Sequence, residues 1–406
     1  MRLLFITDNF PPEVNAPANR TYEHCREWVK SGVDVTVITC APNFPKGEVY
    51  PGYKNKLIHK EVIDEIKVIR VFTFITANEG IIKRTLDYVS FAITAFFAGL
   101  FVKTDIIIST SPQFFTSLTG RLLSFFKRKP WIFEVRDIWP ESIIAVGIME
   151  RNNIIRALEK LEKYYYRKAN HIVVVTDSFK QNLIDKGVPA SKISIFKNGA
   201  NLDLYKPQDK NESLLKQFNL KDKFIFAYIG THGMAHGLDF ILNSIQSIQD
   251  TNPKFHFIFI GDGAERINLL KQSEDLKLKN VTFINSVNKK DVVEYLSIMD
   301  VAIVNLKKSD TFLNVIPSKI FEAAAMEKPI LLGLEGETKK MILEFDSGIC
   351  YEPENKNDFI KAMNEISNTE IYQNKKTGAI KIANIYDRKI IADQMLQQIK
   401  KIQSQF

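Results

Sequence analysis

The stretch IPSKIFEAAAMEKPILL (316–332) sets Lys319 three residues before Glu322, one cation and one carboxylate on the same helical face. Pro317 and Ser318 form a helix start signal, with Ser318 as the expected N-cap, and the helix runs to the Lys328-Pro329 break. Backbone N–H groups at a helix start attract phosphate, and Lys319 adds a full positive charge there. A phosphate followed by a ribose diol fits this pair: Lys319 and the amides hold the phosphate, and Glu322 accepts from two hydroxyls. An ordinary surface helix with an i,i+3 ion pair would carry the same residues, so spacing alone leaves both readings open.

Further chemistry clusters where apolar runs end. YIGTHGMAHGLDFIL (228–242) holds Gly230, Gly233 and Gly237, with His232 and His236, two of the chain's six histidines. Small residues let backbone amides approach a phosphate, although a flexible turn with solvated histidines reads the same. It is not a P-loop, because the lysine and its Ser/Thr partner are missing. FIGDGAER (259–266) carries Gly261 in a lone Gly-x-Gly, a turn signal without the third glycine of a dinucleotide fingerprint. TDNFPPEVNAPANRTYEH (7–24) makes a rigid loop around Asn9, Pro11 and Pro12, with Asn19 and Arg20 expected to start a helix. FEVRDIWPES (133–142) crowds Glu134, Arg136, Asp137 and Glu141 at a strand end. Charges so placed are costly unless paired or functional, and an Arg136 ion pair stapling the loop is the alternative.

The elements that position these residues alternate in type. Apolar, β-rich runs occur at 3–7, 33–39, 105–110, 131–136 and 171–176, and again at 224–230, 255–261, 281–285, 301–306 and 329–333. Continuous apolar strands separated by helix-length segments imply parallel sheets covered on both faces, an α/β chain. The polar stretch 201–215 divides the two sets, giving domains 1–200 and 201–385, with a last helix at 386–406 expected to pack back on the first domain. Ligands of open α/β sheets bind beyond the strands' carboxyl ends, where the clusters above lie.

Composition narrows the class. The 406 residues carry Lys+Arg 55 against Asp+Glu 47, a net charge of +8, which fits an anionic substrate or membrane surface as well as nucleic acid. Nucleic acid is disfavoured because no aromatic-basic reading motif stands out beyond 121–129. Three scattered cysteines suit neither a disulfide scaffold nor a zinc site and point to a reducing cytosol. No Asp-x-Asp occurs, so no metal site is expected. Residues 2–8 are too short an apolar run for a signal-peptide core and read as a first strand. The uncharged run 88–102, about 22 Å as a helix, does not span a roughly 30 Å hydrocarbon core. With Lys83, Arg84, Lys103 and the basic RLLSFFKRK (121–129), it reads either as interfacial membrane contact or as a helix under the first sheet.

At these residues the chain resembles the retaining family 4 glycosyltransferases of GT-B fold, two Rossmann-like doubly wound domains facing a central cleft. The motifs that carry the likeness are DNFPPEVNAPANRTYEH, FEVRDIWPES, YIGTHGMAHGLD, FIGDGAER and PSKIFEAAAMEKPIL, in the family's order. It is most similar to the bacterial branch that builds O-antigen and capsule repeat units, including N-acetyl-L-fucosaminyltransferases. The resemblance implies a UDP-sugar as substrate rather than a cofactor, bound by the second domain. Glu322 matches the residue that holds the ribose, and Pro317, Ser318 and Lys319 match the stretch beside the distal phosphate. Val287 matches the position whose backbone meets the base. Gly230, Thr231, His232 and Gly261 fall in the loops that approach the diphosphate. The first domain is implied to take the acceptor, with Asn9, Asn15, Asn19, Arg20, Arg136 and Glu141 as candidate ligands.

Two positions depart from the family pattern. Asn314 stands where a second glutamate often touches the donor sugar, and the Arg/Lys pair of the glycine loop is absent, leaving Lys319 and His236 as candidate sources of positive charge. The reading expects metal-independent transfer, with retained configuration, to an undecaprenyl-diphosphate-linked saccharide at the inner face of the cytoplasmic membrane. Asp137 would orient or deprotonate the acceptor hydroxyl. A UDP-sugar 2-epimerase of similar architecture and a silent nucleotide-sugar-binding subunit are the alternatives.

Overall fold

The computed structural model describes residues 1–44, 46–76, 81–145, 151–288 and 291–406. They form two compact units: Met1–Lys197 joined by Arg388–Phe406, and Asn198–Asp387.

The first unit runs β1 (Arg2–Ile6), α1 (Ala16–Lys30), β2 (Asp34–Cys40), β3 (Ile58–Ile63), β4 (Ile66–Val71), α2 (Ile81–Leu100) and β5 (Ile106–Thr110). It continues with α3 (Phe114–Lys127), β6 (Trp131–Val135), α4 (Glu141–Ala145), α5 (Asn153–Lys168), β7 (His171–Val174), α6 (Asp177–Asp185) and β8 (Ile193–Ile195). Its sheet has the order β3-β4-β2-β1-β5-β6-β7-β8, parallel throughout except for the β3–β4 hairpin. That hairpin turns through Asp64 and Glu65, both at positive φ, the conformation a two-residue turn needs. Asp-Glu is not the usual Asn-Gly or Asp-Gly signal, and β3 is a half-exposed edge, so this pair of strands goes unread in the sequence.

The second unit runs α7 (Glu212–Gln217), β9 (Phe224–Ile229), α8 (Leu238–Gln246), β10 (Phe255–Ile260), α9 (Arg266–Asp275), β11 (Val281–Ile284) and α10 (Val292–Ile298). Then follow β12 (Val301–Asn305), α11 (Lys319–Ala325), β13 (Ile330–Gly333), α12 (Glu337–Phe345), β14 (Gly348–Cys350), α13 (Lys356–Ile366) and α14 (Thr369–Ile385). Its six strands are all parallel, in the order β11-β10-β9-β12-β13-β14. The three-residue β14 is too short to leave a pattern in the sequence.

The last helix, α15 (Arg388–Ser404), belongs to the first unit. Ala392, Met395, Leu396, Ile399 and Ile402 share its core with Phe5, Trp28 and Val35, and the Trp28 indole donates to the Ala392 carbonyl at 2.8 Å. The spacing of these five residues is one stripe of a helix.

Strand order makes a switch point in each sheet. From β1 the chain goes first to β2 on one side and later to β5 on the other; from β9 it goes first to β10 and later to β12. The crossovers diverge there and leave a crevice beyond the carboxyl ends of β1/β5 and of β9/β12.

Helix α2 packs on the unit along one side and leaves the other exposed. Phe91, Ala95 and Ala98 are buried, while Phe97 is 59% and Phe101 88% exposed. Gly99 lets α3 come close, since a Cβ there would stand 2.4 Å from Leu123. Lys127 closes the end of α2 by donating to the Leu100 and Val102 carbonyls at 2.9 and 2.8 Å. Phe125 and Phe126 are exposed beside it, with Arg128 and Lys103. Among the described residues no helix is long and apolar enough to cross a membrane.

Candidate functional site

In the second unit the loops after β9 and β10 touch at glycines. Gly261 has φ +145°, and a Cβ there would stand 1.9 Å from the Gly230 carbonyl oxygen, so no side chain fits. The contact is fixed by backbone hydrogen bonds, the Gly230 amide donating to the Ile260 carbonyl at 2.9 Å and the His232 amide to the Asp262 carbonyl at 2.8 Å.

Lys319 opens α11 beside this loop. Its ammonium lies 3.7 Å from the centroid of the Tyr228 ring, a cation–π contact, and 3.0 Å from where a Cβ of Gly230 would be. Burial pushes Lys319 down to about 7, against the pull of the Glu322 carboxylate. Glu322 follows one turn later and is partly exposed. Ser318 departs from the sequence expectation: its backbone is already helical and its side chain caps nothing. The Pro317 and Ser318 carbonyls instead receive the amides of Ile320 and Phe321, at 3.2 and 3.0 Å, and so start the helix.

The two loop histidines are not solvated. His232 is fully buried, neither ring nitrogen has a partner, and its ring packs near Tyr228 and Phe283. His236 lies 5.7 Å from the Tyr228 ring, and its Nδ1 is buried without a partner. Burial first, then neighbouring cations including Lys319, push both down to about 4. Both are therefore neutral at neutral pH. His236 offers hydrogen bonding and not the positive charge expected of it; the charge beside the Tyr228 ring is that of Lys319, held near its midpoint by burial. Thr231 is exposed, its carbonyl accepting from the Tyr228 hydroxyl at 2.7 Å.

Two residues without an assigned role in the sequence reading hold the site together. Asn305, the last residue of β12, donates to the His236 carbonyl at 2.7 Å and accepts from the Tyr351 hydroxyl at 2.7 Å. A buried amide ending an apolar strand was the signal for it. Arg266 donates to the Gly261 carbonyl at 3.1 Å and to Asn285 at 2.7 Å, tying the loops after β10 and β11. Val287 follows in the second of these loops, packed against the core.

In the first unit the expected acceptor ligands separate. Asn9 and Asn15 line a cavity at the β1/β5 switch point. Asn15 also caps α1, accepting from the Ala18 amide at 2.8 Å, so the helix begins at Ala16 and not at Asn19. Asn19 donates to the Val14 carbonyl at 3.1 Å. Arg20 is 1% exposed and pairs with Glu134 at 3.1 Å while donating to the carbonyls of Phe196 and Lys197. Its donors are engaged inside the fold, which removes it from the acceptor ligands. Burial pushes Glu134 up, yet Arg20 and Arg136 hold it below the usual carboxylate range. The stapling ion pair is thus made by Arg20, whereas Arg136 reaches the Pro17 carbonyl at 3.3 Å. Glu141 accepts from Lys186 and Asn182 at the surface, at 3.0 and 3.2 Å. Asp137 accepts from Ser142 at 3.1 Å, and burial raises it.

Residues 18–204 match Glycosyltransferase Family 4, and residues 209–382 match Glycosyl transferases group 1. The "Probable glycosyltransferase WbjE" of Pseudomonas aeruginosa is 25% identical over 271 residues, 66% of this chain and 67% of that protein. The "Putative colanic acid biosynthesis glycosyl transferase WcaI" of Escherichia coli is 24% identical over 366 residues, 87% of this chain and 89% of that one. Among solved structures, Anabaena HepE in complex with UDP and glucose superposes with a TM-score of 0.73 at 14% identity, over 99% of this chain and 100% of that one. That likeness carries the fold, GT-B.

Proposed function

The chain being a glycosyltransferase, with a family 4 domain followed by a group 1 domain, we propose that it transfers a sugar from a UDP-sugar to an undecaprenyl-diphosphate-linked saccharide in polysaccharide biosynthesis. One observation carries the donor half: the Lys319 ammonium on the Tyr228 ring, against Gly230, with Glu322 one turn along α11. That grouping suits a diphosphate followed by a ribose.

In this reading Lys319 meets the diphosphate, Glu322 accepts from the ribose hydroxyls, and the Val287 backbone meets the base. His236 donates a hydrogen bond to the diphosphate, and the close Gly230 backbone leaves room for it. As the bond from the anomeric carbon to the diphosphate breaks, negative charge grows on UDP, and a preplaced cation stabilises it with no metal required. The new bond forms on the same face of the sugar, which retains the configuration. Asp137, raised by burial and steadied by Ser142, orients the acceptor hydroxyl. The donor sugar is an N-acetylhexosamine, N-acetyl-L-fucosamine being the choice that the resemblance favours.

The lipid side rests on the exposed Phe97, Phe101, Phe125 and Phe126 beside Lys103 and Arg128. Apolar side chains ringed by cations suit the inner, anionic leaflet of the cytoplasmic membrane.

The test is UDP release from a panel of UDP-sugars in EDTA, with and without the polyprenyl-linked saccharide. Release from one donor only when the acceptor is present supports transfer and identifies the sugar. Interconversion of UDP-sugars without acceptor would instead make the chain an epimerase. Glu322→Ala should weaken UDP binding by tenfold or more, on the order of a charged hydrogen bond. Unchanged affinity would sink the ribose assignment.

A further inference from the structure

Tyr228, next to last in β9, is fully buried in the core of the second unit. Three nitrogen-bearing side chains stand around its ring. The Lys319 ammonium is 3.7 Å from the ring centroid, and the His236 and His232 rings are 5.7 and 6.0 Å away. The close partner is thus the charged end of Lys319 and not its aliphatic stem. The tyrosine hydroxyl donates to the Thr231 carbonyl at 2.7 Å, which ties the ring to the glycine loop. Lys319 Nζ and the Tyr228 hydroxyl also border Gly230, 3.0 and 3.8 Å from where a Cβ would stand. Strand β9, the glycine loop and α11 therefore meet at this one ring.

An ammonium withdrawn from water needs something to replace its hydration. Glu322, on the same helix, supports the charge of Lys319, whereas the two loop histidines, pushed down to about 4, supply none at neutral pH. Burial pushes the Tyr228 phenol up, so the ring is neutral and the contact is a cation–π contact and not an ion pair. That distinction matters for a lysine that meets an anion. A carboxylate in the ring's place would pair with the ammonium and repel an incoming phosphate. A ring face attracts the ammonium without setting a negative charge there. Leucine would fill the same core, but only an aromatic ring offers such a face.

We propose that Tyr228 is the positioning residue for Lys319: its ring face holds the ammonium against the Gly230 backbone, where the donor diphosphate arrives. The inference rests on the reading of Lys319 as the cation that meets that diphosphate.

The test replaces Tyr228 in the full chain by phenylalanine and by its difluoro, trifluoro and pentafluoro analogues. Fluorine draws electron density from the ring face at nearly constant volume, so the series weakens the cation–π contact and keeps the packing. Lys319 is followed directly by NMR of lysines isotope-labelled at Cε, assigned with Lys319→Arg, and UDP affinity by calorimetry. The Lys319 titration midpoint should fall stepwise along the series, by about one pH unit from phenylalanine to the pentafluoro analogue. UDP affinity at pH 7.5 should fall with it by about tenfold, and at pH 5.5, where the lysine is charged in every variant, by less than about twofold. If the pentafluoro variant melts at a lower temperature, the difluoro and trifluoro members carry the trend. A midpoint that stays level along the series overturns the inference, whatever UDP does. So does a level UDP affinity along the series where Lys319→Met loses affinity. A falling midpoint with UDP affinity unmoved in Lys319→Met refutes the diphosphate assignment and leaves the hold of Tyr228 on Lys319 standing.

Discussion

Lys319 sits near its own titration midpoint at neutral pH, because burial opposes its charge and Glu322 supports it. His232 and His236 face the Tyr228 ring with it but are neutral at that pH. A diphosphate on Lys319 would raise its pKa, so binding above about pH 7 must take up a proton. UDP affinity should thus fall as pH rises from 7 towards 9, approaching tenfold per unit. Calorimetry over pH 6–9 checks this, with Lys319→Arg as the reference that stays charged throughout. A native pH profile parallel to that of Lys319→Arg would show that Lys319 does not meet the anion. The buried Arg20–Glu134 pair shows the other use of charge at a strand end: its groups satisfy one another and the backbone, leaving nothing for a ligand.

At the level of elements, α15 completes the core of the first unit although it follows the whole second unit in sequence. Leu396→Ala removes a fully buried side chain and should destabilise that unit by about 2–5 kcal/mol. Urea unfolding followed by Trp28 fluorescence would read this, and a change under 1 kcal/mol would mean that α15 is not part of the cooperative unit. Helices α2 and α3 are amphipathic in a different way, with aromatic side chains left exposed beside cations. Phe101→Glu should weaken sedimentation with phosphatidylglycerol vesicles about tenfold, from the roughly 1.5–3 kcal/mol a phenyl ring gains on burial. Equal sedimentation would count against the proposed membrane contact.

For the molecule as a whole, each unit carries its own sheet, core and switch-point site. UDP at about 100 times its Kd should stabilise the Asn198–Asp387 unit by about 2.7 kcal/mol. Hydrogen exchange read peptide by peptide checks this: protection should appear in the loops after β9 and β10 and in α11. Protection confined to Met1–Lys197 would reverse the assignment of donor and acceptor units.

Much of this molecule was determined by local sequence. Continuous apolar strands such as 105–110 and 255–261 are legible because burial on both faces leaves no polar alternation, and the turn glycines and Lys319–Glu322 lie within a few residues of each other. The edge hairpin β3–β4 was not legible, since its turn lacks glycine and its outer strand is half exposed. Tertiary structure alone decided which charged residues satisfy each other and which converge. Arg20 meets Glu134 across 114 residues, and Gln113 meets Asp8 across 105. Such pairings follow from strand order, which no local periodicity encodes. Burial, likewise a property of the packed whole, sets the charge that Lys319, His236 and Asp8 carry.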